Sequence, residues 1–309
     1  MAELRIRTMQ AADRAEVAEL ICVSTNVWFQ MRGYPAVFPG GPETTAIYFD
    51  VYEALDPGQA IVAEDPSTGR IMGSVFLHPR PTHISLGIMN VHPNHFGKRV
   101  AGAMLKQATE LADSQNKPLR LVSSGRNTDS FSLYNKVGFV PRYLYQGMFL
   151  DIPEEGLPFQ EAGEEQVREA TLADVEAMAA LELEVTGIQR ENDLRYFVEN
   201  ADGIWSVSVF EDSGGKLDGF MASCSHPGCN MIGPGAARTE EQTKALLLAE
   251  LRKHPGRSPA FMLPVTAEDV VQTCYRWGAK NYEVALGQVR GDWQPMQGIA
   301  MPTFLPETS

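Results

Sequence analysis

The chain has 309 residues, enough for two domains, and its 44% hydrophobic and 21% charged residues let either half bury a core of its own. A net charge of −13 argues against a nucleic-acid backbone or an anionic membrane surface as the main partner. It is compatible with a cationic amine substrate and equally with plain solubility.

No stretch approaches the roughly 20 apolar residues of a membrane helix, and the segment MAELRIRTMQ has no apolar run of signal-peptide length. Cys22, Cys224, Cys229 and Cys274 form neither a CxxC pair nor a zinc-spaced His/Cys cluster. The expectation is a cytoplasmic protein with reduced thiols and no metal. A redox or metal role for Cys224 with Cys229 is the alternative.

Residues 4–7 alternate apolar and charged groups, as a short half-buried strand does. Val17, Leu20, Ile21, Val27 and Trp28 predict a helix over 11–29, with Asp13 and Glu16 in its first turns, where carboxylates suit the dipole. Residues 31–42 (MRGYPAVFPGGP) read as a loop. A helix over 44–55 follows, then strands over 60–63 and 71–77 around a turn at DPSTG. A strand over 83–91, a long helix over 97–113, a strand over 119–123, a helix over 128–136 and strand structure over 139–150 complete the first half. Residues 151–165, acidic and with little to bury, read as a linker.

The order then repeats. Strand 166–170, helices 172–185 and 194–199, strands 204–210 and 217–222, helix 239–254, strand 260–264, helix 267–277 and strand 282–289 follow the same schedule, which predicts a duplicated fold. Gly233-Pro234-Gly235 reads as a turn, and residues 298–309 are expected to lie on the surface without forming an element.

Two segments carry chemistry. In the first, a strand ends at Val91-His92-Pro93 and Gly97-Lys98-Arg99-Val100-Ala101-Gly102-Ala103 opens a helix. The first amides of a helix have no internal partners and carry the positive end of the dipole. Small residues let a ligand approach them, so the junction suits a pyrophosphate, with Lys98 and Arg99 adding charge. It also reads as an ordinary strand-to-helix connection. Neither GxxxxGK[ST] nor GxGxxG is present. In the second segment Asn127 or Thr128 can cap a helix that Gly138 ends. Tyr134 reads as a half-buried aromatic or as a phenol that faces a cleft and gives up a proton.

Together the segments resemble the GNAT superfamily of acyl-CoA N-acyltransferases. That family has V-x-P, then Q/R-x-x-G-x-G/A, then N-x-x-A/S-x-x-L/F-Y-x-x-x-G-F. Here Phe96-Gly97-Lys98-Arg99-Val100-Ala101 stands for the loop, and Asn127, Ser130, Leu133, Tyr134, Gly138 and Phe139 match the last pattern. The resemblance covers roughly residues 3–150. The two-copy layout, acidic linker and PTFLPET tail resemble tandem GNAT proteins of the YitH-like type.

The resemblance implies an α/β (α+β) fold of two tandem GNAT-like domains, each a mixed, mostly antiparallel twisted sheet flanked by helices. Residues 1–150 would be the catalytic domain, 151–165 the linker and 166–309 the second domain. Acetyl-CoA would be the cosubstrate. Its pantetheine arm would pair with backbone at Met89, Asn90 and Val91, and its pyrophosphate with amides from Gly97 to Ala101. Asn127 and Ser130 would help order the arm, and Tyr134 would protonate the departing thiolate. The reaction implied is direct attack of a small molecule's primary amine on the thioester. A CoA-binding sensor or inactive regulatory protein, and a protein-lysine acetyltransferase, are the alternatives.

Two positions depart from the family. Phe96 replaces glutamine or arginine, and Arg99 replaces glycine where backbone usually touches phosphate. Either Arg99 points outward and pairs with phosphate or the loop is degraded. A carboxylate base is missing from 84–90; His83 is a candidate or a surface strand residue, and His92 reads as structural. Trp28, Phe29, Tyr34 and Phe38, with His83, are the acceptor-pocket candidates, unless the aromatics simply seal a core.

Aligning Ala103-Met104-Leu105 with Ala245-Leu246-Leu247 puts Glu240 and Glu241 at the phosphate position of the second copy. Like charge there costs roughly 1–4 kcal/mol per pair, while Thr239 and Gln242 form a capping box. Tyr275 is one residue closer to its glycine than Tyr134. The second copy is therefore expected not to bind CoA, and to shape or cover the acceptor pocket instead.

Overall fold

The structure, a computed structural model, describes residues 4–308. The first half runs β1 (Arg5–Thr8), α1 (Arg14–Gln30), α2 (Pro42–Leu55), β2 (Ile61–Glu64), β3 (Ile71–Pro79), β4 (Ile84–Val91), α3 (Val100–Ser114), β5 (Leu119–Ser124), α4 (Thr128–Lys136) and β6 (Val140–Phe149). The second runs β7 (Val167–Glu169), α5 (Val175–Thr186), α6 (Glu191–Glu199), β8 (Trp205–Glu211), β9 (Leu217–His226), β10 (Cys229–Ala237), α7 (Glu240–Leu251), β11 (Ala260–Pro264), α8 (Glu268–Arg276) and β12 (Lys280–Arg290). A tail adds β13 (Ile299–Met301), β14 (Thr303–Phe304) and β15 (Glu307–Thr308). Among the described residues no helix is long and apolar enough to cross a membrane.

Local chemistry sets several of these boundaries. Pro42 opens α2 after Gly41, whose φ of 77° suits only glycine well. Asn127 caps α4 by accepting from Ser130 N at 3.0 Å. Thr239 and Gln242 close both arms of a capping box at α7.

The two halves do not keep separate sheets. Among the described residues thirteen strands form one sheet in the order β1-β2-β3-β4-β5-β12-β6-β11-β10-β9-β8-β7, with β13 added to β10. Each half therefore places its last long strand inside the other half's sheet. β12 pairs with β5 along Leu119–Ser124, β6 pairs with β11 along Ala260–Pro264, and β6 and β12 pair with each other from Val140↔Val289 to Phe149↔Lys280.

The cores follow this exchange. On one face a single cluster joins α1 and α2 residues such as Val17 and Tyr52 to α5 and α6 residues such as Val175 and Leu194. Met104 and Leu105 of α3 cover the first half of the sheet in a second cluster, and Leu246 and Leu247 of α7 cover the second half in a third.

Both halves share one backbone device. Val75 faces Met89 and Leu77 faces Leu86, so Gly87 and Ile88 together oppose Phe76 in a β-bulge of β4. β4 pairs with β5 only at Ile84↔Leu119 and Ser85↔Arg120, then leaves it. In the second half Ile232 faces Ser223 and Gly235 faces Met221, so Gly233 and Pro234 bulge likewise. β10 pairs with β11 only at Met231↔Ala260 and Ile232↔Phe261.

Three expectations are corrected. Gly233-Pro234-Gly235 is not a turn but the bulged middle of β10, where a proline's missing amide leaves no ladder bond wanting. The tail is not a surface appendage: β13 pairs with Gly235–Ala237, β14 and β15 form a hairpin, and Leu305 is fully buried. Diverging strands leave amides and carbonyls unpaired, and the tail covers them. Segment 151–165 buries more than its composition suggests, with Ile152 buried and Phe159 stacked on Trp277 at 5.7 Å.

Buried charges also tie the halves together. Arg80 after β3 pairs with Asp56 at 2.6 Å and with Asp193 of α6 at 2.7 Å, and all three are nearly out of solvent. Asp193→Ala is expected to lower unfolding free energy by about 3–5 kcal/mol in chemical denaturation, because Arg80 is left buried and underpaired. Residues 1–150 expressed alone lack β12 and should aggregate or give a poorly folded circular-dichroism spectrum; co-expression with 151–309 should restore a soluble complex.

Candidate active site

The bulge at Gly87 and Ile88 turns β4 away from β5, so the Met89–Val91 edge faces open space instead of a strand. Gly87 must be small, since a Cβ there would come within 2.8 Å of His78 Nε2. Beyond β4 a short turn over Pro93–His95 leads to Gly97 at φ 74° and Arg99 at φ 65°, and α3 begins. Among the described residues, the amides of Gly97, Arg99, Val100, Ala101 and Gly102 have no hydrogen-bond partner.

Ser24, Thr25, Trp28 and Phe29 of α1 form the facing wall, and Ser124, Asn127, Ser130 and Leu133 close the far side. The cleft so enclosed has a volume of about 1060 Å³. Arg32 spans it, stacking 3.9 Å above Trp28 and pairing with Asp129 of α4 at 3.2 Å.

Two polar atoms on this cleft are orphans. Asn90 donates to Ser24 Oγ at 2.7 Å, yet its Oδ1 is buried without a partner. His95 Nδ1 is likewise buried and unpaired. Desolvation first, then Lys98, lower the pKa of His95, so its ring is neutral near pH 7. Buried polar groups without partners are uncommon. Free amides, unpaired polar atoms and the apolar walls of Trp28, Phe29 and Met89 fit an elongated acyl-CoA, anionic at one end.

Of the residues singled out in the sequence, Met89, Asn90, Val91, Phe96, Gly97, Arg99, Val100, Ala101, Asn127, Ser130, Trp28 and Phe29 line this one cleft. Lys98 is exposed beside it. Tyr34 lies off the lining with Arg126 4.2 Å over its ring, and Phe38 packs in the core against Tyr48. His83 is buried rather than on the surface, because it precedes the end of β4 that stays paired with β5. Its ring nitrogens meet Thr82 and Ser85, and burial with Arg120, Arg190 and Arg80 nearby holds its pKa well below the usual range. His92 caps its own turn, accepting from Asn94 N at 3.2 Å.

Arg99 occupies the left-handed conformation that glycine adopts freely, at a cost of roughly 1–2 kcal/mol for any other residue. Arg99 lines the cleft.

Tyr134 sits one turn after Ser130 on α4, 7% exposed and packed against Phe139. Burial first, then the nearby carboxylate of Glu307, raise its pKa well above that of free phenol, so it stays protonated through neutral pH. Glu307 comes from β15, which lies in the gap between β4 and β5. Val122 N, which would have continued the ladder to β4, donates instead to Glu307 Oε1 at 3.2 Å. Sequence reasoning missed Glu307, Ser24, Thr25 and Ser124. Only the small spacing of Ser24 and Thr25 from Trp28 on one helix could have signalled any of them.

The second half keeps the bulge, but among the described residues it differs at the rest of the site. Glu240 and Glu241 occupy the first turn of α7, where the capping box already engages the amide of Gln242. β13 lies along Gly235–Ala237, the counterpart of Met89–Val91. Ala267 stands at the cap where Asn127 stands, and Cys274, four residues before its glycine, takes the place of Tyr134. Tyr275 is exposed and bonds with Gln146.

Sequence profiles of the acetyltransferase (GNAT) domain match residues 56–141 and again 178–291. No curated protein matches the chain significantly. Among solved structures, a proposed acetyltransferase from Pyrococcus horikoshii superposes with a TM-score of 0.74 at 15% identity, over 99% of this chain and 93% of that one. A GCN5-related N-acetyltransferase from Sphaerobacter thermophilus gives 0.63 at 16% identity, over 96% and 98%. A tandem GNAT protein from the clavulanic acid biosynthesis pathway gives 0.59 at 16%, over 93% and 98%. At these identities the structural likeness is one of fold, and it extends over both halves. With its two matched domains, the chain belongs to the GNAT acetyltransferase family.

Proposed function

We propose that this protein is an N-acetyltransferase that moves the acetyl group of acetyl-CoA to the primary amine of a small molecule by direct attack. The observation that carries this reading is the open Met89–Val91 edge continuing into the unpaired amides of Gly97 and of residues 99–102, all on one cleft. Acetyl-CoA supplies an activated acyl carbon. The amides and Arg99 hold its diphosphate. Met89, Asn90 and Val91 orient the arm along β4, and Ser130 and Asn127 fix its other side. Tyr134, kept protonated by burial, delivers a proton to the departing sulfur. The first half is the catalytic domain, and the second closes the opposite face of the gap, which favours a small acceptor over a protein surface.

The test is a thiol-release screen with acetyl-CoA against amino acids, polyamines, amino sugars and aminoglycosides. Release with at least one amine supports the reading. Tight CoA binding without release across the panel would make the chain a CoA-binding sensor instead.

Tyr134→Phe should lower kcat by about 10²–10³-fold with CoA affinity and melting temperature unchanged, because only the hydroxyl is lost. Arg99→Gly should gain about 1 kcal/mol in urea denaturation by relieving the left-handed backbone. The same variant should bind CoA several-fold more weakly by calorimetry; undiminished affinity would show that Arg99 does not reach the phosphates.

A further inference from the structure

The tail of the second half delivers an acidic group to the centre of the first. Tyr52 Oη of α2 donates to Phe304 O at 3.1 Å and accepts from Glu307 N at 3.3 Å, which pins β15 in the gap between β4 and β5. Leu305 and Thr303 are buried beneath it. Glu307 is itself buried, and its Oε1 takes the amide of Val122, two residues beyond the part of β5 that pairs with β4. Among the described residues its other oxygen has no hydrogen-bond partner, and no cation forms an ion pair with it.

A buried carboxylate with no counter-ion is costly. The titratable groups facing Glu307 are Tyr48 and Tyr52 from α2 and Tyr134 from α4, none of which offsets its charge. What the site lacks is a cation, and the charge of Glu307 acts on Tyr134, the proton donor of the reaction proposed above.

We propose that Glu307 binds the ammonium group of the acceptor and takes its proton, supplying from the second half the base that β4 lacks. This rests on the transferase reading. Glu307 takes one proton from the ammonium. The freed nitrogen lone pair forms the N–C bond to the acyl carbon as the C–S bond breaks onto sulfur. Tyr134 gives its proton to that sulfur and recovers one from the new amide nitrogen through water. Glu307 then releases its proton to solvent, so one ammonium and one thioester yield one amide, one thiol and one proton.

The other acidic candidate, Glu283 of β12, bonds with Ser124 Oγ near Arg126, at the outer end of β5. It has partners that Glu307 lacks.

Glu307→Gln keeps an acceptor for Val122 N and removes the charge. With any amine active in the screen, this variant should lose at least 100-fold in kcat/KM while CoA affinity by calorimetry stays within two-fold. The rise of kcat/KM with pH should lose the limb set by Glu307 and keep that of the amine itself. Wild-type kcat/KM and pH profile in Glu307→Gln, or loss of that limb in Glu283→Gln instead, overturns the proposal. Silence of the wild type toward every amine would instead sink the transferase reading.

A CoA-free readout is independent. Burial raises the Glu307 carboxyl well above its ordinary value of 4.5. The stability it adds is complete below that value and is lost as pH rises through the folded-state value. The melting temperature of Glu307→Gln should therefore gain on wild type as pH rises above 4.5. A constant difference overturns the buried acid. Should Glu307→Gln fail to fold, Glu307→Asp serves: its protonated-carboxyl infrared band should shift from that of wild type and fade on amine binding, and a band unmoved by amine overturns the proposal.

Discussion

The antiparallel pairing of β6 with β12 is the contact on which the rest of the molecule depends. It lies at the middle of the sheet and runs from Val140↔Val289 to Phe149↔Lys280. Because each of these strands also completes the other half's sheet, neither half has a closed edge alone. An unpaired edge leaves a row of donors and acceptors without partners. Exchange satisfies both edges at once and forces the helices on one face into a single core.

That symmetry makes the difference between the two gaps informative. The same bulge opens β4 from β5 and β10 from β11. In the second half the tail closes the gap with β13, and a capped, doubly acidic helix start stands where an anion would sit. In the first half the Met89–Val91 edge stays open, and the tail brings β15 with Glu307 between β4 and β5. One segment therefore fills the gap of one copy and arms the gap of the other. A duplicated fold can spare one ligand site when its strands are needed to complete the first.

Electrostatics at the junction divide into two kinds. Arg80 with Asp56 and Asp193, and Arg190 with Glu182, are buried and mutually satisfied. Such pairs add little net stability, but breaking one is expensive, so the Arg80–Asp193 pair, which crosses from the first half to the second, fixes how the halves dock. Glu307 and Tyr134 are buried without such partners, and burial keeps both in their neutral forms more than water would. Perturbed groups that lack structural partners and share one gap are where proton transfer is expected. His83, by contrast, is held neutral among arginines and fully bonded, which is a structural role.

The sequence by itself determined the elements whose signals are local. Helix α4 begins after Asn127 and ends before Gly138, β11 covers 260–264, and Thr239 with Gln242 opens α7, all as side-chain chemistry within a few residues dictates. Most residues that the family patterns singled out also line one cleft, since a loop of small residues after a strand has few conformations. Only the tertiary structure decided which strand pairs with which. Alternation of apolar residues in β6 and β12 fixes the faces they bury but says nothing about the edges they meet. For the same reason Glu307 was invisible: an acid in a polar, proline-rich tail looks solvated until the fold carries it into a gap two strands have left open.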